Sequence, residues 1–570
     1  MRITTPCIPH VIELRKLRRK LYADVALSRT TRARCAAHCT GEPKKIDATG
    51  FMPYRDLHRR ALWLPEISRH MNTLRLETIY DDLDRRIRAL DTEKPELEAS
   101  RRRVETALTD GNTYYGINTG FGALATKRVG EADLSRLQTN LLLSHAVGVG
   151  EPLRRDISRL MLQLKVHALA LGYSGISVRT FDRLLEFTKR DLIPIIPSRG
   201  SLGASGDLAP LAHMSLPLIG YGSFWDSDGR DHEPASTVLE RHGLEPIELQ
   251  PKDGLALING TQLMAACGAW VLERSIQLLK TADLIAAMSL EGLQGSIKPF
   301  DERIHRLRPH AGQLEVSKNV RSLLVESEIL ENHRNCGKVQ DPYCLRCVPQ
   351  VHGASRDALR YCNSTVETEI NSVTDNPLVF DNGDIVSGGN FHGQPLALAL
   401  DHAAIALSEL GSISERRIYL LLEGHDGLPT LLMQETGINS GFMIPQYTAA
   451  SLVSENKVLS HPASVDSIPS SLGQEDHVSM GSISALKLLQ IYEHVETILA
   501  IELLSAAQAL DFRKPLKPGC GVHVAHEYFR SQVPHLEEDR FMRDEIDASL
   551  ALLRDKRLIA EVESACGTLL

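Results

Sequence analysis

Two stretches, Leu396–Leu422 and Ile483–Leu510, constrain the fold of this chain more than any other feature. Each is apolar-rich with single charges interspersed, and each would span about 40 Å as a helix at 1.5 Å rise per residue. A helix that long, and apolar around much of its circumference, must bury against another of its kind. The pair predicts a helix bundle with contacts between subunits. Helical periodicity dominates elsewhere too. Ile157, Leu160, Met161, Leu164 and Ala168 share one helix face, and Gly172 is placed to end that helix. Strand signals are few and short, as around Ile385–Val386. The expected class is mostly α, a long central helix bundle with a smaller loop-rich N-terminal domain that carries the site. The expected division is a basic extension over 1–70, an N-terminal domain over 71–275, and the bundle with C-terminal helices over 276–570.

Composition narrows the partners. The 570 residues are 43% hydrophobic and 24% charged, ordinary for a large globular chain. Charge is uneven: residues 1–70 carry +9 and the remainder −17. A basic segment can bind nucleic acid, but an acidic body with 5% aromatics argues against such a partner. Residues 1–70 lack core patterning and are expected to be dispensable, with Leu74, Leu76 and Ile79 opening the regular pattern after Met71. The ten cysteines have no regular spacing and read as reduced thiols of a cytoplasmic protein. Cys344/Cys347 and Cys35/Cys39 each lack a second ligand pair, so no metal is expected. No secretory-type opening is evident. The longest uncharged run, Gly254 to Leu272, contains Asn259, Thr261 and Gln262, which suits a buried helix better than a membrane span.

The chemistry centres on Gly203-Ala204-Ser205-Gly206-Asp207. Small residues between glycines, followed by Asp and an apolar run, describe a tight turn feeding a helix that Asp207 is placed to cap. The run has no Gly-Lys-Ser/Thr ending of a P-loop. Asp207 stands where a nucleophile elbow needs its second glycine. In a turn this tight the Gly206 nitrogen can attack the Ala204 carbonyl carbon. Loss of two waters would leave a five-membered ring with a methylidene group from Ser205, 4-methylidene-imidazol-5-one.

Further polar residues lie on loops between the helices. These loops include Tyr114–Gly122, Leu143–Gly150, Leu257–Gln262, Gln340–Cys347, Gly388–Gly393 and Gln474–Met480. Taken singly each motif is ordinary. In order, over residues 71–560, the set resembles the aromatic amino acid ammonia-lyase and aminomutase family. That resemblance implies that Ala204, Ser205 and Gly206 form the ring without an external cofactor. It implies further that Tyr115 is the base, that Asn259, Gln340, Tyr343 and Phe391 line ring and substrate, and that Arg346 holds the substrate carboxylate. It also implies a homotetramer with shared active sites.

Substrate choice follows from polarity. His145 and Glu475 stand where phenylalanine- and tyrosine-selective relatives carry less polar residues. They suit an imidazole, with its N–H donor and nitrogen acceptor, and would be left without partners beside a phenyl ring. L-Histidine is the expected small-molecule substrate, with trans-urocanate and ammonia as products in the first step of histidine degradation. A phenylalanine or tyrosine lyase, an aminomutase and a catalytically silent helical assembly remain as rivals.

Overall fold

The computed structural model describes residues 73–90, 94–120, 122, 129–334 and 337–570. The expectations for residues 1–70, including Cys35 and Cys39, lie outside the described residues.

The chain opens with α1 (Ile79–Ala89) and α2 (Pro95–Thr109), and Leu74, Leu76 and Ile79 are buried as their pattern requires. Then come α3 (Leu134–His145), α4 (Arg155–Leu169), α5 (Val178–Lys189), α6 (Leu208–Ser215) and α7 (Asp253–Ile258). α4 buries Ile157, Leu160, Met161 and Leu164 and stops three residues before Gly172. Ser177 caps α5 through its hydroxyl, which accepts from the Thr180 N–H. Three two-stranded antiparallel sheets supply the β-structure of the described residues. β1 (Val149–Pro152) pairs with β2 (Pro197–Arg199), and β3 (Ser223–Trp225) with β4 (His232–Pro234). β5 (Leu378–Val379) pairs with β6 (Ile385–Val386), Val379 opposite Ile385.

The bundle is built from α8 (Gln262–Gly292), α9 (Ala311–Leu323), α10 (Tyr343–Arg346), α11 (Val348–Ile370), α12 (Gln394–Leu422), α13 (Met443–Leu459) and α14 (Gly481–Asp511). α15 (Cys520–Arg530), α16 (Met542–Arg554) and α17 (Lys556–Cys566) pack against its side. α12 and α14 run within two residues of the stretches expected from sequence and pack on each other and on α8 and α11. α12 is long and apolar enough to cross a membrane, but most of its apolar stretch is buried in the bundle.

The bundle also buries charge. Arg417 of α12 and Glu502 of α14, both fully buried, form a two-pronged ion pair at 2.5 and 2.8 Å. Glu502 also accepts from Ser289 and Ser414 hydroxyls at 2.6 and 2.5 Å. Beside it, His352 donates to Asp283 at 2.8 Å, and Arg356 reaches the other oxygen of the same carboxylate.

One expectation needs correction. The run Gly254–Leu272 is not one buried helix but two, which meet at the loop expected over Leu257–Gln262, where Gly260 has φ +131°. Helix α8 is continuous from Gln262 to Gly292 and packs against α4 and α14 alike. Residues 72–570 form one compact unit.

Candidate active site

The Gly203–Asp207 run is a turn in left-handed backbone, with φ +82° at Gly203, +49° at Ser205 and +81° at Gly206. L-residues resist that region, so Ser205 marks local strain. The Gly206 N–H donates to the Gly203 carbonyl at 3.3 Å. The turn is pinned to the break between α7 and α8. Gly260 donates to the Ser205 carbonyl at 3.4 Å and accepts from the Asp207 N–H at 2.7 Å. A Cβ on Gly206 would stand 2.1 Å from the Gly260 oxygen, so only glycine allows this approach.

Asp207 does not cap α6 with its side chain, contrary to expectation. Its carboxylate crosses to α8 and accepts from Leu263 and Met264 N–H groups at 2.9 and 3.1 Å, and from the Ser482 hydroxyl at 3.0 Å. Tertiary contact supplied a better donor set than the local helix. Burial pushes the Asp207 pKa up to about 7 against those bonds.

Beside the turn lies a cavity of about 440 Å³ lined by Ala204, Ser205, Tyr115, Asn259, Phe391 and Glu475 among others. Six separate segments meet there. The Tyr115 hydroxyl accepts from the Gly122 N–H at 3.2 Å. Asn259 is buried, with its amide donating to the Asn376 carbonyl at 2.8 Å. Glu475 accepts from the Ser470 hydroxyl at 2.9 Å. His145, the last residue of α3, bonds the Leu141 carbonyl through Nδ1 at 2.9 Å. It is not in the cavity wall, yet the Glu475 charge reaches it. Burial lowers the His145 pKa, and the Leu141 bond and Glu475 oppose that fall.

Helices α6, α8, α12 and α14 all begin within a few residues of the cavity lining. Their N-terminal ends place partial positive charge near it, although the Leu263 and Met264 N–H groups of α8 are taken by Asp207 and the Gln394 N–H of α12 by His392. The site therefore favours an anionic group or developing negative charge.

Gln340, Tyr343 and Arg346 are not brought to this cavity within one chain. Tyr343 and Arg346 form α10, beside Leu420 and His425 at the far end of α12. The cavity lies at the near end of α12, whose 29 residues span roughly 40 Å. Gln340 and Tyr343 are exposed, Tyr343 by 70%. The Arg346 guanidinium stacks 4.6 Å from the Tyr343 ring centroid, and its Nε is buried without a partner. Tyr343 is thus presented to the surface, with Arg346 half-buried against it.

Sequence reasoning missed Asn376, His392 and His477, which also line the cavity. His392 donates to the His477 carbonyl at 3.1 Å and accepts from the Gln394 N–H at 3.3 Å, joining the loops before α12 and α14. Both histidines lay inside quoted motifs. Asn376 had only an Asn-Pro turn signal. Among the described residues no group of three or more His, Cys, Asp or Glu side chains could hold a metal ion.

Known proteins resemble this chain in sequence and fold. The sequence profile described as aromatic amino acid lyase matches residues 74–531. A histidine ammonia-lyase from Myxococcus xanthus is 53% identical over 471 residues, covering 82% of this chain and 92% of that one. The crystal structure of histidine ammonia-lyase from Trypanosoma cruzi shares 43% identity with a TM-score of 0.77, covering 83% and 89% of the two chains. Tyrosine aminomutase from Streptomyces globisporus shares 34% identity with a TM-score of 0.79, covering 87% and 98%. With its glycine-flanked turn clamped on Gly260 and its loops gathered at the head of the bundle, this chain belongs to the aromatic amino acid lyase family.

Proposed function

We propose that the protein removes ammonia from L-histidine without oxidation, giving trans-urocanate, with an electrophile made from Ala204, Ser205 and Gly206. The observation that carries this reading is the strained turn at Ser205, held against Gly260 and open to a cavity that also contains Tyr115 and Glu475. Relatives named histidine ammonia-lyase support the choice of histidine.

The residues fit the group. Gly206 carries no Cβ where one would strike the Gly260 oxygen, and the Gly260 clamp holds the turn tight. The Gly206 nitrogen bonds to the Ala204 carbonyl carbon. That carbonyl oxygen leaves as water with the Gly206 and Ser205 amide protons. The Ser205 hydroxyl leaves as a second water with the Ser205 α-proton, and the residue becomes a methylidene. The resulting 4-methylidene-imidazol-5-one supplies an electrophilic carbon that takes up the substrate amine and improves it as a leaving group.

The remaining work falls to side chains. Tyr115, as its phenolate, takes the β-proton as general base and is left as the phenol. Glu475 holds the imidazole, His145 supports it from behind the cavity wall within reach of the Glu475 charge, and Asn259 and Phe391 line the ring. The helix N-termini and the Gly260 N–H stabilise negative charge that develops at the turn.

Arg346, with Tyr343 and Gln340, would reach the substrate carboxylate from another copy of the chain in a cytoplasmic homotetramer. Leu398, Ile405 and Tyr419 support such assembly. They are about half exposed on α12 at multiples of seven residues, an apolar stripe suited to a partner helix. No nucleic acid or membrane partner is needed.

Ser205→Ala tests the reading. Intact-protein mass spectrometry should show that the parent lacks the mass of two waters and that this deficit vanishes in the variant. Histidine turnover should vanish with it while folding is kept. A parent of full calculated mass would refute the ring.

A further inference from the structure

Beneath the turn lies a buried cation that the chemistry above leaves without a role. Lys165, on α4, is 2% exposed, and its Nζ donates to the Asn259 carbonyl oxygen at 2.5 Å. The N–H of that same peptide unit is Gly260's, and it donates to the Ser205 carbonyl oxygen at 3.4 Å. Ammonium, peptide and Ser205 oxygen thus form a three-part relay. A trans peptide points its C=O and N–H to opposite sides, and a donor on the oxygen polarises the N–H into a stronger donor.

A structural role alone does not call for a lysine. Burying an ammonium group costs several kcal/mol even when paired, and a neutral donor would satisfy the same carbonyl. Asp375 and Asp207 face Lys165 with negative charge, and Lys252, itself paired to Asp375 at 2.7 Å, faces it with positive charge. Burial pulls the Lys165 pKa down to about 7, and the negative charge of Asp375 pulls back toward the ammonium form. The Ser205 oxygen would be the carbonyl oxygen of the ring, at the acceptor end of its conjugated system. At 3.4 Å the Gly260 bond to it is long, so added polarisation has most to contribute there.

We propose that Lys165 is a positioning residue that works through the Asn259–Gly260 peptide, holding the Gly260 N–H on the Ser205 oxygen and strengthening it for ring closure and for turnover. This rests on the ring assignment above.

The test compares Lys165→Met, Lys165→Gln and Lys165→Arg with the parent by intact mass, reading the fraction of folded chain that lacks two waters. The kcat and KM for L-histidine are measured alongside. Glutamine keeps a donor without the charge, and arginine keeps the charge. The expected result is a lowered closed fraction in Met and Gln, or kcat lowered about tenfold or more with KM within about twofold. Arginine should restore most of both. If Met fails to fold, the contrast between Gln and Arg decides. Full closure and parental kcat in Gln would overturn the role of the charge. A parent with no mass deficit would overturn the ring assignment itself, and this proposal with it.

Discussion

Arg417→Met probes what holds the bundle together. It removes the guanidinium that neutralises Glu502 and leaves a fully buried carboxylate facing two serine hydroxyls, Ser289 and Ser414. Two charge-assisted bonds, at 2.5 and 2.8 Å, vanish. A buried charge stripped of its partner costs about 3–5 kcal/mol. At 1.4 kcal/mol per decade, the folded-to-unfolded ratio falls by roughly two to three and a half orders of magnitude. The double variant Arg417→Met/Glu502→Leu removes both charges at similar volume, and the serines can turn back onto their own helix carbonyls. It should recover most of the loss. Guanidinium unfolding followed by circular dichroism measures all three proteins, with unfolding rates compared if refolding is incomplete. A single variant as stable as the parent, or a double variant weaker than the single, would refute the reasoning.

Tyr115→Phe should keep the two-water mass deficit and lower kcat by about 10²–10⁴ with little change in KM, read by steady-state kinetics. Glu475→Gln should keep the ring and raise KM for L-histidine about tenfold or more, because a neutral amide grips the imidazole less strongly. Co-expression of Ser205→Ala with Arg346→Met, each inactive alone, should yield mixed assemblies with partial activity; none would show that Arg346 serves no neighbouring copy. Glu291 is buried, which pushes its pKa from 4.5 up to about 7. A raised carboxyl pKa means that the folded state binds the extra proton, so its stabilising contribution is complete below about 4.5 and is lost as pH rises through 7. Glu291→Gln should flatten the stability profile across that window by up to roughly 3 kcal/mol, measured by denaturation at several pH values.

Local pattern carried the bundle well. The ends of α12 and α14 were legible because hydrophobic periodicity is a property of consecutive residues. The Ser205 turn was legible because glycines and small residues announce left-handed backbone. What failed depends on partners far apart in sequence. Asp207 was expected on its own helix, but the N-terminus of α8 offered it two N–H groups and Ser482 a third donor. The turn at Asn259–Thr261 arises because Gly260 pairs with Ser205 and Asp207. The loop at Leu257–Gln262 was itself legible, but nothing in the run Gly254–Leu272 announces that pairing. Tyr343 and Arg346 were read into one site with Ser205, yet α12 separates them by its whole length. Motif order along a chain carries no distance between motifs, and none at all between copies.

The most direct test of the account mixes purified protein separately with L-histidine, L-tyrosine and L-phenylalanine, following ultraviolet absorbance and released ammonia together. The account predicts a rise with histidine alone, one ammonia per product formed. A rise with tyrosine or phenylalanine in its place would contradict the roles given to His145 and Glu475, and no ammonia from any of the three would contradict the reaction itself.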